Sequence, residues 1–324
     1  MKLTLELICR ARQRLRGLVH RTPLIHSTTL SDHLGAPTFL KLECLQKTGS
    51  FKPRGAFNRM LELSEEEKKK GVVAASGGNH AQGVAYAARH LGIAATICMP
   101  ESTPRNYLDA TRGYGADIVL CADITAAFAG TSRLQQQGRV LVHPFDDAFV
   151  AAGQGTVGLE ILEDLPGASR VYVSIGGAGF IGGIATAIRT IKPDARIIGV
   201  ETHGADAMSQ SLAAGKLVEL PAITSIARTL GAPKVCDFTY RLVRDLVEEV
   251  VVVDDAATVR AMFLILERTK YLTEPAAACC LAAAETQRDT FTAKDQIVLV
   301  LCGGNISTED LAGFYSRFVI SEHR

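Results

Sequence analysis

No charge of one sign dominates this chain, and nowhere does charge collect into blocks. Thirty-five Lys and Arg stand against 34 Asp and Glu, for a formal net charge of +1 over 324 residues. Nucleic-acid binding needs a concentrated basic face and is not expected here. A small neutral or zwitterionic substrate suits this balance better. Long hydrophobic runs are missing as well. The longest, such as Ala276 to Ala284, fall well short of the roughly 20 apolar residues that span a bilayer. The opening stretch MKLTLELICRARQRLRGLVHRTPL breaks its apolar residues with Glu6, Arg10, Arg12 and Arg14, so it carries no secretory h-region. The eight cysteines form no CxxC pair and no metal-finger spacing. Cys279 and Cys280 sit side by side in an Ala-rich, helix-like run and read as small core residues. These absences point to a reducing, cytoplasmic compartment without membrane association.

What is present is a large apolar fraction, 47%, with only 21% charged residues, enough for a sizeable core. Apolar, β-branched runs alternate with helix-period segments. Strands are expected at Thr38–Leu42, Val72–Ala75, Ala94–Cys98, Ile118–Cys121, Val140–His143, Val171–Ile175, Arg196–Val200, Val250–Val253 and Ile297–Cys302. Helical patterns fall between most of them, as at His80–Leu91, Gly158–Leu165, Phe180–Ile191 and Ala256–Lys270. Such alternation predicts an α/β fold of open, twisted, mostly parallel sheets flanked by helices. The units near 70–145 form a candidate small domain. A ligand is expected in a cleft between the two sheets, at the carboxyl ends of strands.

Four segments carry candidate chemistry. In the first, Gln46-Lys47-Thr48-Gly49-Ser50-Phe51-Lys52-Pro53-Arg54-Gly55-Ala56, Ser50 is a candidate N-cap that places Lys52 and Pro53 in a first helical turn. The positive end of the helix dipole and partial burial both disfavour an ammonium there, which a lysine forming a Schiff base requires. Taken alone, Lys52 is more simply a solvated surface lysine. In the second, Ala75-Ser76-Gly77-Gly78-Asn79-His80 follows an apolar strand and opens a helix. Its glycines allow close backbone approach, and its free N–H groups can hold a carboxylate. Alone, His80 is an ordinary polar residue at a helix start.

The third segment, Ser174-Ile175-Gly176-Gly177-Ala178-Gly179-Phe180-Ile181-Gly182-Gly183, again runs from strand to helix. Its N–H groups suit a phosphate. Gly177 to Gly182 also match GxGxxG, with Glu201 about 20 residues on, so a nicotinamide-dependent oxidoreductase is the competing reading. The fourth places Cys302-Gly303-Gly304-Asn305 at a strand's carboxyl end. A buried thiol before a turn is its plainer interpretation.

In order and spacing, KTGSFKPRGA, ASGGNHAQGVAYAA, HPFDD…AGQGTVGLEI, GGAGFIGG, LTEPAAA and LCGGN resemble the fold-type-II pyridoxal-phosphate enzymes, specifically the serine/threonine dehydratase and serine racemase group. The resemblance runs from about residue 20 to 310. It implies a tryptophan-synthase-β-like fold with the cofactor between a large domain (1–54 and 146–324) and a small one (55–145). It also implies that Lys52 carries pyridoxal 5'-phosphate as a Schiff base and then acts as base at Cα. Phe51 packs on the ring, Asn79 meets the ring hydroxyl, and Cys302 faces the ring nitrogen. Gly176, Gly177, Ala178 and Gly179 hold the phosphate, Ala178 standing where the group usually has glycine. Ser76, Gly77, Asn79 and His80 surround the substrate carboxylate, and the group is often dimeric.

Two departures shape the expected activity. Racemases of this group carry a serine, their second acid/base, immediately before the Gly-Asn-His triplet, where this chain has Gly77. β-Elimination of L-serine or L-threonine to pyruvate or 2-oxobutanoate plus ammonia is therefore expected ahead of racemisation. A dehydratase of another β-hydroxy amino acid, such as 3-hydroxyaspartate, is a further alternative. The group's divalent-metal site maps to Glu201 and the Ala205 carbonyl, but Ala207 replaces its aspartate. Divalent-cation binding is thus doubtful, and a monovalent ion is an alternative. No C-terminal amino-acid-sensing domain, and hence no isoleucine inhibition, is expected for a chain of this length.

Overall fold

A computed structural model describes residues 2–320. Its strands are β1 (Leu24–His26), β2 (Thr38–Lys41), β3 (Val72–Ala75), β4 (Ala95–Pro100), β5 (Asp117–Cys121), β6 (Val140–Leu141), β7 (Arg170–Ser174), β8 (Arg196–Thr202), β9 (Glu249–Val253) and β10 (Ile297–Val300). They form two sheets, one of six strands in the order β1-β2-β10-β7-β8-β9 and one of four in the order β5-β4-β3-β6. Every pairing is parallel except β1 with β2.

Parallel strands covered by helices on both faces read as unbroken apolar runs. β7 and β10 are such strands, buried at every position. All nine expected strands are present. β1 was not expected, because three residues are too few to show a period. The helix foreseen at Gly158–Leu165 begins ten residues earlier and spans Ala148–Asp164. It is buried along most of its length, so it lacks the polar face that would reveal its period. Its glycines are close-approach points: a Cβ on Gly153 would lie 2.4 Å from the Arg54 carbonyl oxygen, and one on Gly155 2.8 Å from that of Gly183.

A buried charge cluster anchors the segment that carries Lys52. The Arg54 guanidinium donates to both carboxylate oxygens of Glu43 at 2.8 Å and to those of Glu160 at 2.6 and 2.9 Å. Lys41 on β2 donates to Glu160 at 2.6 Å and to the Thr22 carbonyl at 2.7 Å. Lys41, Glu43, Arg54 and Glu160 are all buried. Two cations and two carboxylates thus neutralise one another inside the protein. The Lys52–Leu61 helix is thereby tied to β2 and to the Ala148–Asp164 helix.

Candidate active site

The helix that begins at Lys52 is not capped by Ser50. Phe51 is its N-cap, with helical φ and ψ and no side-chain cap bond. Ser50 lies one residue outside, fully extended at φ −161°, and bridges to Gly303. Its buried hydroxyl has no partner. The expectation for the lysine itself holds, since Lys52 opens the helix with Pro53 behind it. Burial drives the Lys52 amine down to about 8 from an ordinary 10.5, partly countered by Cys302 and Glu274. Its Nζ donates to the Pro144 carbonyl at 3.2 Å.

Lys52 lines a cleft of about 1100 Å³ to which the carboxyl ends of β3, β7 and β10 all lead. Every expected cofactor or substrate residue faces this cleft: Phe51, Ser76, Gly77, Asn79, His80, Gly176 to Gly179 and Cys302. After β7, Gly176 to Gly179 turn into the Gly179–Ile191 helix. Ala178 is its N-cap in the left-handed region at φ 66°, where an alanine is strained and glycine is not. Among the described residues, the backbone N–H groups of Gly176, Gly177, Ala178 and Gly179 have no protein acceptor. Four open donors at a helix start form an anion cradle. Gly177 permits a close approach, because a Cβ there would fall 1.9 Å from the Phe145 ring. A phosphate fits this turn by its donor chemistry.

After β3, Ser76 accepts from the Gly78 N–H at 3.1 Å. The N–H groups of Gly77, Asn79 and His80 have no acceptor among the described residues, leaving a second cradle for a carboxylate. The His80 ring is held through Nε2, which bonds the Val142 carbonyl at 2.8 Å. Burial and the nearby Lys52 hold the imidazole well below its ordinary value, so it is neutral. His80 offers this cradle its backbone N–H. The Phe51 ring is stacked on Phe180, centroids 3.8 Å apart and 10° from parallel. The Cys302 thiol is held well above its ordinary value by burial, reinforced by Glu274, and stays protonated.

Sequence reasoning assigned no role to Glu274, Asn305, Thr229 or Tyr107, which complete the cleft. Glu274 lies in LTEPAAA and Asn305 ends LCGGN. Both motifs supported the resemblance, but neither spacing shows what the side chains meet. The Glu274 carboxylate accepts from Asn79 at 2.7 Å and from Thr229 at 2.8 Å. Burial raises it to about 7, against those same hydrogen bonds.

All ten strands and the cleft residues from Phe51 to Cys302 fall within one family match. A family model described as "Pyridoxal-phosphate dependent enzyme" matches residues 15–303. The chain belongs to the pyridoxal-phosphate dependent enzymes. An L-threonine ammonia-lyase of Geobacter sulfurreducens is 46% identical over 320 residues, 98% of this chain and 79% of that one. The catabolic L-threonine dehydratase TdcB of Escherichia coli (strain K12) is 39% identical over 302 residues, 92% of each. Among solved structures, maize serine racemase superposes with a TM-score of 0.92 at 38% identity, covering 100% of both chains. Membership in this pyridoxal-phosphate family removes the nicotinamide reading of GAGFIG. The donor chemistry of the turn suits a phosphate under either reading, while Lys52 and Asn79 are not called for by a dinucleotide site.

The residues aligned with a divalent-cation site do not fit one. Both Glu201 oxygens are occupied by backbone donors, Met208 N–H at 3.0 Å and Ser209 N–H at 2.8 Å, at the start of the Ala207–Ala214 helix. Burial raises this carboxyl to about 8, with the two N–H groups pulling the other way. Ala205 is buried, and Ala207 brings no side-chain oxygen, its carbonyl accepting from the Ser211 hydroxyl. The Asp206 carboxylate accepts from Gln210 on the exposed side of the helix. Among the described residues, no group of three or more His, Cys, Asp or Glu is placed to hold a metal ion. No described helix is long and apolar enough to cross a membrane.

Proposed function

We propose that the protein is an L-threonine/L-serine ammonia-lyase, converting L-threonine to 2-oxobutanoate or L-serine to pyruvate, with release of ammonia. The observation that carries this reading is the pairing of a perturbed Lys52 with Gly77 in the substrate cradle. Lys52 would hold the cofactor covalently, the Gly176–Gly179 turn would take its phosphate, and Phe51, Asn79 and Cys302 would meet its ring. Bound pyridoxal phosphate supplies an electron sink that acidifies the substrate's Cα–H.

The substrate carboxylate sits on the N–H groups of Gly77, Asn79 and His80, with Ser76 beside them. Lys52 Nζ would take the α-proton; an amine lowered to about 8 is half unprotonated at that pH, where an ordinary lysine is almost fully charged. The protonated Cys302 thiol presents no charge to the ring nitrogen, a setting that favours elimination over chemistry needing a fully protonated ring. Racemisation needs a second proton donor on the opposite face, and Gly77 has none. A side chain is also poorly accommodated there, since a Cβ on Gly77 would lie 2.7 Å from Thr103 Oγ1. The named relatives that act on threonine support the substrate class. The protein works as a homodimer in the cytoplasm on this reading, in keeping with eight free cysteines.

The holoenzyme is assayed with L-threonine, L-serine and 3-hydroxyaspartate, with chiral analysis of the recovered amino acid. The expected outcome is 2-oxo acid from threonine and serine and no appreciable D-serine. D-Serine formed as fast as pyruvate would make the protein a racemase, and activity confined to 3-hydroxyaspartate would replace the substrate.

A further inference from the structure

The polarity of the Asn79 amide is set by a chain of hydrogen bonds that starts at a backbone carbonyl. Asn305 Nδ2 donates to the Thr48 carbonyl at 2.7 Å and to Asn79 Oδ1 at 2.7 Å. A carbonyl can only accept, so the Asn305 group facing Thr48 has to be its NH₂. Both Asn305 hydrogens are then used, and the Asn79 atom facing Asn305 has to be its oxygen. Asn79 Nδ2 consequently faces Glu274 and donates one hydrogen to Oε1 at 2.7 Å. Its second hydrogen has no acceptor among the described residues, although Asn79 is buried and lines the cleft.

The surroundings leave this arrangement no slack. A Cβ on Gly49 would lie 2.6 Å from Asn305 Oδ1. One on Gly303 would lie 3.0 Å from Glu274 Oε1 and 3.2 Å from Asn79 Nδ2. Glu274 Oε1 also takes the Thr229 hydroxyl at 2.8 Å, which fixes the carboxylate from a third element. On the other side of the cleft, the Tyr107 hydroxyl donates to the Asn305 carbonyl. The segment that bears Asn305 is thus bonded to the Arg105–Gly113 helix as well.

We propose that Asn305 is a positioning residue. It orients the Asn79 amide so that one Nδ2 hydrogen is presented to the ring oxygen of the cofactor. This rests on the reading that Asn79 meets that oxygen. A flipped amide would present Oδ1 instead, which repels an anionic oxygen. Asn305 touches neither cofactor nor substrate in this account and acts only through Asn79.

The test is a pH titration of the lysine–imine absorbance of the holoenzyme, read without substrate. A hydrogen bond to the ring oxygen favours its fully anionic form, the form present once the imine proton has left. Losing that bond therefore raises the midpoint. Asn79→Ala should raise it by roughly 0.5–1 pH unit, the size of one hydrogen bond. Asn305→Ala should raise it in the same direction, and the Asn79→Ala/Asn305→Ala double variant should match Asn79→Ala alone. Asn305→Ser replaces Asn305→Ala if the alanine variant fails to fold. A shift with Asn79→Ala but none with Asn305→Ala overturns the positioning role alone, as do shifts that add in the double variant. No shift with Asn79→Ala overturns the ring-oxygen reading and the positioning role with it.

Discussion

Lys52 Nζ lies 3.2 Å from the carbonyl oxygen of Pro144, at the floor of a cleft bordered by two sheets. The bond costs the amine little as an acceptor of protons, because burial, not this contact, is the main cause of its depression to about 8. The neutral fraction of Lys52 therefore grows as pH rises through about 8, well below the ordinary 10.5. Apo-protein should capture pyridoxal phosphate at a rate that climbs with pH and is half-maximal near 8. Stopped-flow absorbance measures it, and a midpoint above about 10 would mean that the lysine is not perturbed.

Arg54 stands two residues beyond Lys52 and is held by Glu43 and Glu160. Arg54→Met leaves Glu160 with Lys41 alone and buried Glu43 with no cation, only the Thr22 hydroxyl. Removing one partner from a buried pair typically costs about 3–5 kcal/mol. Urea denaturation should show a loss of that order together with weakened cofactor retention. A loss under about 1 kcal/mol would show that the cluster does not anchor the helix.

Ala178 occupies a left-handed conformation at φ 66°. That conformation costs a non-glycine residue roughly 1–2 kcal/mol. Glycine relieves it but returns roughly 0.4–1 kcal/mol of chain freedom to the unfolded state. Ala178→Gly should therefore stabilise the apo-protein by roughly 0.5–1 kcal/mol, and Ala178→Val should destabilise it. A glycine variant less stable than the parent in the same urea titration would refute the strain.

Glu274 is raised to about 7 from an ordinary 4.5. A carboxyl raised on folding binds its proton more tightly in the native state, so its contribution is complete below about 4.5 and is lost as pH rises to about 7. Apo-protein stability should fall across that interval by an amount on the order of 3 kcal/mol. Glu274→Gln removes the titrating group and should flatten this part of the profile. An unchanged slope in the variant would assign the effect to another group.

Glu201 spends both oxygens on the N–H groups of Met208 and Ser209. Exhaustive dialysis against a chelator, followed by added magnesium or calcium, should leave turnover and melting temperature unchanged. Activity that disappears with the chelator and returns with the metal would contradict the reading of this site.

The strand–helix alternation and the two glycine turns were legible because each element's local chemistry is its own signal. A buried parallel strand such as β10 reads as an apolar run, and turns that start helices read as glycines. The Gly176–Gly179 turn was found in that way, whereas Lys52 and Cys302 gained roles only from the order and spacing of all the segments together; all three line one cleft. Side-chain pairings distant in sequence were not legible. Asn79 and Glu274 are 195 residues apart, and Asn79 and Asn305 are 226 apart. No periodicity connects them. Ser50 was misread because a serine before a helix is usually its cap. Here the bridge to Gly303 keeps the chain extended for one residue more. The Ala148–Asp164 helix was placed late because its glycines, which weaken a helix locally, are required by close packing against Arg54 and Gly183.

On the proposed function, Lys52 is the residue bonded to the cofactor. Borohydride reduction of the holoenzyme, proteolysis and mass spectrometry of the peptides test it most directly. The reduced cofactor should be found on Lys52 alone, and on no peptide of a folded Lys52→Ala variant. Label on Lys47 or another lysine in the parent protein, or retention of the full label in Lys52→Ala, would contradict it.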